Sequence, residues 1–99
     1  MMRRNDVGLE DVFSSKGRVK VLKEILRRGE VNLTQLIQLT GLNYRSVVRH
    51  LNFLSRAGLI EEVRVGRARI YRPCWVNPKV RLLEEIINEF GNSKRGCAT

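Results

Sequence analysis

Histidine is nearly missing from this chain, cysteine is scarce, and acid is outnumbered; each shortage removes a class of function. There is one His, His50, and two Cys, Cys74 and Cys97, among 99 residues. Zinc sites draw several His, Cys or carboxylate ligands at close spacing, and secreted disulfide frameworks need more Cys than this. Both cysteines therefore read as thiols, a redox pair has no motif to support it, and neither a metal nor any other cofactor is expected. No apolar run approaches the roughly 20 residues that cross a bilayer, and residues 1–6 lead into no signal-peptide core. A cytoplasmic protein with no membrane partner is expected.

Catalytic patterns are missing too. There is no phosphate-binding glycine loop, no nucleophile motif, and no pair of carboxylates in a plausible cleft. His50 falls beside the core stripe of a basic helix, where packing or backbone contact explains it better than proton transfer. A chain of this length forms one domain with a small core and little room for a large active-site cleft, so an enzyme is the least favoured class.

What is present is positive charge. Nineteen Lys and Arg face ten Asp and Glu, a formal net charge of +9 with a pI of about 10.6, which favours a polyanionic partner. The excess is uneven: residues 1–77 hold 15 bases and 7 acids, residues 78–99 hold 4 and 3. The last quarter has another job.

The organising stretch is residues 43–58. At helical spacing Val47, Leu51 and Leu54 share one narrow face, while Arg45, Arg49, Asn52 and Arg56 gather opposite. Asn43 caps the front and Gly58 closes the back. Surface helices usually mix acids with bases, yet this one has three arginines and no carboxylate, so its outer face wants an anion. Arginine and asparagine make two-pronged hydrogen bonds to guanine and adenine edges in the major groove, which points to double-stranded DNA. The plainer reading is a solvated basic face on an ordinary bundle helix.

Taken in order, residues 1–7 are polar and basic, with Arg3 and Arg4 available to phosphates. Within the arm of residues 1–13, Leu9, Val12 and Phe13 predict a short helix folded back on the domain or on a second copy, and Ser14 or Ser15 caps the helix after it. Residues 16–28 carry Val19, Leu22, Ile25 and Leu26 at three-and-four spacing and end at Gly29, a scaffold helix whose Lys16, Arg18, Lys20, Lys23, Arg27 and Arg28 form a mostly solvated face. Val31 suits a one-residue bridge of sheet. Asn32 or Thr34 then caps a short helix bearing Leu33, Leu36, Ile37 and Leu39. Thr40-Gly41-Leu42-Asn43 is a tight connection of helix-turn-helix length, with Leu42 plugging the corner.

Beyond Gly58 the period changes. Residues 59–65 and 68–72 are rich in β-branched and aromatic side chains, and Val65-Gly66-Arg67 makes the turn of a β-hairpin. Arg64, Arg67, Arg69 and Arg72 decorate it, more arginine than solubility requires. After a linker at residues 73–76, Asn77 and Pro78 start a helix predicted over residues 78–91. Its Val80, Leu83, Ile87 and Phe90, with Leu82 and Ile86 beside them, give more apolar surface than a terminal helix needs on a small core. The assignment is dimerisation; the alternative is packing on its own domain. Gly91 ends the helix, leaving residues 92–99 as a flexible polar tail.

The fold class is thus mainly α with a small β-hairpin. This order resembles a winged helix-turn-helix, and in detail the ArsR-like and MarR-like regulators of transcription, over residues 14–72. The matching residues are Ser-Lys-Gly-Arg-Val-Lys-Val-Leu at 15–22, Val-Arg-His-Leu-Asn-Phe-Leu-Ser-Arg-Ala-Gly-Leu-Ile at 48–60, and Arg-Ala-Arg-Ile-Tyr at 67–71. The run His-Leu-x-x-Leu-x-x-x-Gly-Leu is the most specific part. The resemblance implies a homodimer whose helix after the turn reads the major groove through Tyr44, Arg45, Arg49 and Asn52, with the wing, Arg67 and Arg69, on backbone or minor groove. Val48 departs from the pattern, where small hydroxyl residues are common. The metal-sensing members place cysteines on the short helix or His and carboxylate ligands on the last one; here the short helix reads Leu36-Ile37-Gln38-Leu39 and the last has no His. Two rival readings stay open, a chromatin-like DNA binder without sequence preference and a winged helix that binds protein. From 43 to 72 there are seven arginines and two acids, which argues against the second.

Overall fold

The computed structural model describes the backbone of residues 9–98 and the side chains of residues 10–89. Arg3 and Arg4, and the side chains of Phe90 and Cys97, lie outside that description. The order is α1 (Leu9–Phe13), α2 (Lys16–Arg28), β1 (Val31–Asn32), α3 (Leu33–Thr40), α4 (Tyr44–Arg56), β2 (Ile60–Val65), β3 (Ala68–Pro73) and α5 (Pro78–Ala98).

Short polar side chains set the helix starts by accepting from amides that lack an intrahelical partner. Ser15 accepts from Arg18 N at 3.3 Å, and Asn43 accepts from Ser46 N at 2.8 Å. Asn32 and Gln35 satisfy each other's amides in a full capping box. Between α3 and α4 the chain reverses through Gly41, whose φ of 74° is open to glycine at little cost. Thr40 secures the corner from inside: buried, it donates to Leu36 O at 2.6 Å and accepts from Leu42 N at 3.3 Å.

One core holds these pieces together. Val47, Leu51 and Leu54 of α4 bury fully against Val21, Leu22, Ile25 and Leu26 of α2 and Leu36 of α3. Burying each such side chain contributes about 1.5–3 kcal/mol. The α2 stripe differs by one position from expectation, with Val21 buried and Val19 only half-buried. α1 folds back on its own domain: Val12 is buried and Phe13 packs on the core. Arg18, expected in solvent, is instead half-buried, donating to the Asp11 carbonyl and stacking 3.7 Å from the Phe53 ring centroid. A guanidinium lies flat on an aromatic face more readily than an ammonium does.

The sheet is antiparallel in the order β1-β3-β2. Val31 pairs with Tyr71 and Asn32 with Ile70, so the expected single bridge is a two-residue strand. Val65 faces Ala68 across a two-residue turn in which Gly66, at the first central position, has φ 61°, as a type II′ turn requires.

Two expectations about the C-terminal helix are corrected. It does not stop at Gly91 but runs to Ala98; an isolated helical glycine costs only about 1 kcal/mol relative to alanine, and no proline comes after it to break the ladder. Val80, Leu83 and Ile87 are also not free for a partner. They are 1%, 1% and 6% exposed within the single chain, as part of its own core. Asn77 fixes that docking by donating to Gly58 O at 2.9 Å while accepting from Lys79 N at 3.0 Å. The side of α5 left open carries Leu82, 45% exposed.

Candidate nucleic-acid interface

The buried seam of α4 turns its other side outward. Arg45, Arg49, Asn52 and Arg56 are all exposed, and among the described residues none of the four has a hydrogen-bonding or ion-pair partner from another side chain. Tyr44 opens the helix, 56% exposed. Val48 is half-buried at the margin of this face.

Behind the face, α4 is clamped to α2 at a close crossing. A Cβ on Gly17 would lie 2.8 Å from His50 Nε2, so the imidazole occupies the space that glycine leaves. Burial first, then the positive charges of Arg18 and Arg49, push the His50 pKa below its ordinary value. Its Nδ1 is buried with no hydrogen-bond partner among the described residues. This is a packing histidine, as its place beside the seam implied.

The hairpin treats its arginines differently. Glu62 Oε2 accepts from Arg64 Nε at 3.3 Å and from Arg69 Nε at 3.2 Å. The Glu62 hydrogen bond, then the Tyr71 hydroxyl and other smaller contributions including Tyr44, raise the Arg69 pKa above its ordinary range. Arg69 sits one pair from the turn of the hairpin, directly opposite Arg64. Arg72 belongs to the other side of the sheet, 3.7 Å from Glu30 and 3.6 Å from Glu61. Arg67, at the tip, is exposed and has no acidic partner among the described residues.

The structure therefore brings Tyr44, Arg45, Arg49, Asn52 and Arg56 onto one exposed surface and places Arg64 and Arg69 in a carboxylate-bridged cluster on the hairpin. Sequence reasoning passed over Glu62. Its signal was available: Glu62 precedes Arg64 by two residues on one strand, the spacing that puts both on one face. Among the described residues, no three His, Cys, Asp or Glu side chains are grouped to hold a metal ion, and no helix is long and apolar enough to cross a membrane.

A short helix, a glycine turn, a basic second helix and a glycine-tipped hairpin around one core define a winged helix-turn-helix protein. Residues 15–62 match the family model for bacterial regulatory proteins of the arsR family, so the chain resembles regulators of that type. Solved structures agree. The transcriptional repressor PagR of Bacillus anthracis is 29% identical with a TM-score of 0.67, over 87% of this chain and 92% of that one. The AntR antimony-specific transcriptional repressor is 25% identical with a TM-score of 0.70, over 88% and 78%. A homodimeric winged helix-turn-helix DNA-binding domain from Mycobacterium bovis, a possible ArsR-family regulator, shares the fold at 21% identity and a TM-score of 0.68, over 90% and 76%. No curated protein matches the sequence.

Proposed function

We propose that this chain is a dimeric, sequence-specific double-stranded DNA-binding regulator of transcription. The observation that carries the reading is the outer face of α4, where three arginines and an asparagine stand exposed with no acid among the described residues to neutralise them. Such a face has a standing electrostatic cost in the free protein that a phosphate-lined groove relieves. In this reading α4 enters the major groove. Tyr44, Arg45, Arg49 and Asn52 reach base edges, and Arg56 meets the flanking backbone. The hairpin, with Arg64, Arg67 and Arg69, lies on backbone or minor groove.

The second subunit joins through the open side of α5, the side of exposed Leu82 and half-buried Ile86. The protein acts in the cytoplasm, on the nucleoid, and performs no catalysis.

Selection of bound duplexes from a random pool at fixed salt, followed by titration, tests this. The expected result is a two-fold site with half-sites about 34–36 Å apart. Affinity for that site should exceed that for random duplex by about a thousandfold or more, and should fall by orders of magnitude between about 50 and 200 mM salt. Salt-sensitive binding with no preferred site would instead make this a chromatin-like binder. A flat salt response would favour a protein partner.

A further inference from the structure

The hairpin holds a charge arrangement that DNA binding alone does not account for. Arg64 and Arg69 are register partners, directly opposite on β2 and β3. Like charges so placed repel across an antiparallel pair. Glu62 shares their face, being two residues from Arg64 and opposite Tyr71, and one of its oxygens accepts from both guanidinium groups. The triad's net charge is therefore +1 where its two arginines alone would give +2. Arg64 is 70% exposed in its side chain, so the cluster is open to solvent.

We propose that Glu62 is an internal competitor for the DNA backbone: its carboxylate occupies the guanidinium groups of Arg64 and Arg69, two of the three wing arginines, and a phosphate must share or displace it. The carboxylate and a phosphodiester oxygen offer an arginine the same kind of charge-assisted hydrogen bond. Glu62 therefore limits how strongly the wing grips any duplex and moderates the salt sensitivity of the complex. Because phosphates carry no sequence, it acts equally on selected and random DNA. This rests on the DNA-binding reading above.

The test is Glu62→Gln, which keeps the side-chain shape and an acceptor oxygen but removes the charge. Duplex affinity is measured across a salt series for wild type and variant. Each additional phosphate neutralised steepens the slope of log affinity against log salt by about 0.9, so the dimer should steepen by about 1.8, one unit of charge per subunit. Affinity at low salt should rise about 3- to 10-fold, alike for the selected site and a random duplex. An unchanged slope overturns the proposal, as does weaker binding by a variant whose melting temperature is preserved, since a purely structural Glu62 would leave the slope alone.

Should Glu62→Gln fail to fold, Arg64→Gln at an exposed position reads the same triad in the opposite sense. The slope should become shallower by about 1.8 per dimer, and no change there overturns the proposal equally. If wild-type protein binds no duplex at any salt, the DNA-binding reading is what has failed.

Discussion

The outer face of α4 and the arms of the hairpin are both rich in arginine, yet they handle its charge in opposite ways. On the hairpin, Arg64 and Arg69 share Glu62, and Arg72 lies between Glu30 and Glu61. On α4, Arg45, Arg49 and Arg56 face solvent with no acidic partner among the described residues. Strand pairing makes the difference possible: it brings distant residues into register, so acids on β2 can meet bases on β3. The helix has only its own neighbours within reach, and its sequence supplies no acid. Neutralised arginines stabilise or moderate, whereas unneutralised ones mark the surface that awaits an anion.

Arg49→Ala tests the unpaired side of this contrast most directly and should have the largest effect. It should cost about 1–3 kcal/mol of binding, concentrated at one base position, as read by competition among single-position variants of the selected duplex. Uniform weakening across those duplexes would reassign Arg49 to the backbone.

Gly17→Ala separates scaffold from surface. Overpacking against His50 costs about 1–3 kcal/mol and the helix gains about 0.5–1 kcal/mol from alanine, for a net stability loss of roughly 1 kcal/mol by denaturant titration. Base preference should be unchanged in the folded fraction.

Arg67→Ala, at the hairpin tip, should weaken all sequences about equally and make the salt slope shallower by about 1 per subunit. A base-specific effect would move the wing from backbone contact to direct readout.

A smaller effect is expected from His50. Its pKa is lowered in the folded state by burial and by the two arginines, so the unfolded chain binds the proton more readily. Stability is therefore full above the ordinary value of about 6.5 and declines as pH falls below it, until the folded-state pKa is passed. Thermal melts across that range should show the decline in wild type and its loss in His50→Gln. The least effect is expected from Arg72→Ala on the far side of the sheet: unchanged DNA affinity and a stability change within about 1 kcal/mol, because its ion pairs are solvent-exposed.

Much of the fold was legible because local signals agreed with each other. The seam Val47, Leu51, Leu54, the caps Asn43 and Asn32, the turn at Gly41 and the glycine of the hairpin each have a short-range physical cause, and each is found where expected. Errors arose where a residue's partner lies far along the chain. Arg18 looked like a solvated base because neither Phe53 nor the Asp11 carbonyl is legible as its neighbour from helical spacing. Val80, Leu83 and Ile87 formed an apolar stripe that a second subunit or the chain's own core could equally cover, and periodicity does not distinguish the two. For Glu62 only half was out of reach: its shared face with Arg64 follows from two-residue spacing, whereas its contact with Arg69 depends on the register that sets Arg69 against Arg64.

The sequence by itself determined where the helices start, where the turns fall, the positive excess and the absence of acid along α4, because these depend on residue type and on neighbours within one or two turns. Only the tertiary structure decided which charges are cancelled and which apolar face of α5 is already filled. Both depend on distances between groups far apart in the chain, and those distances exist only once the core has closed.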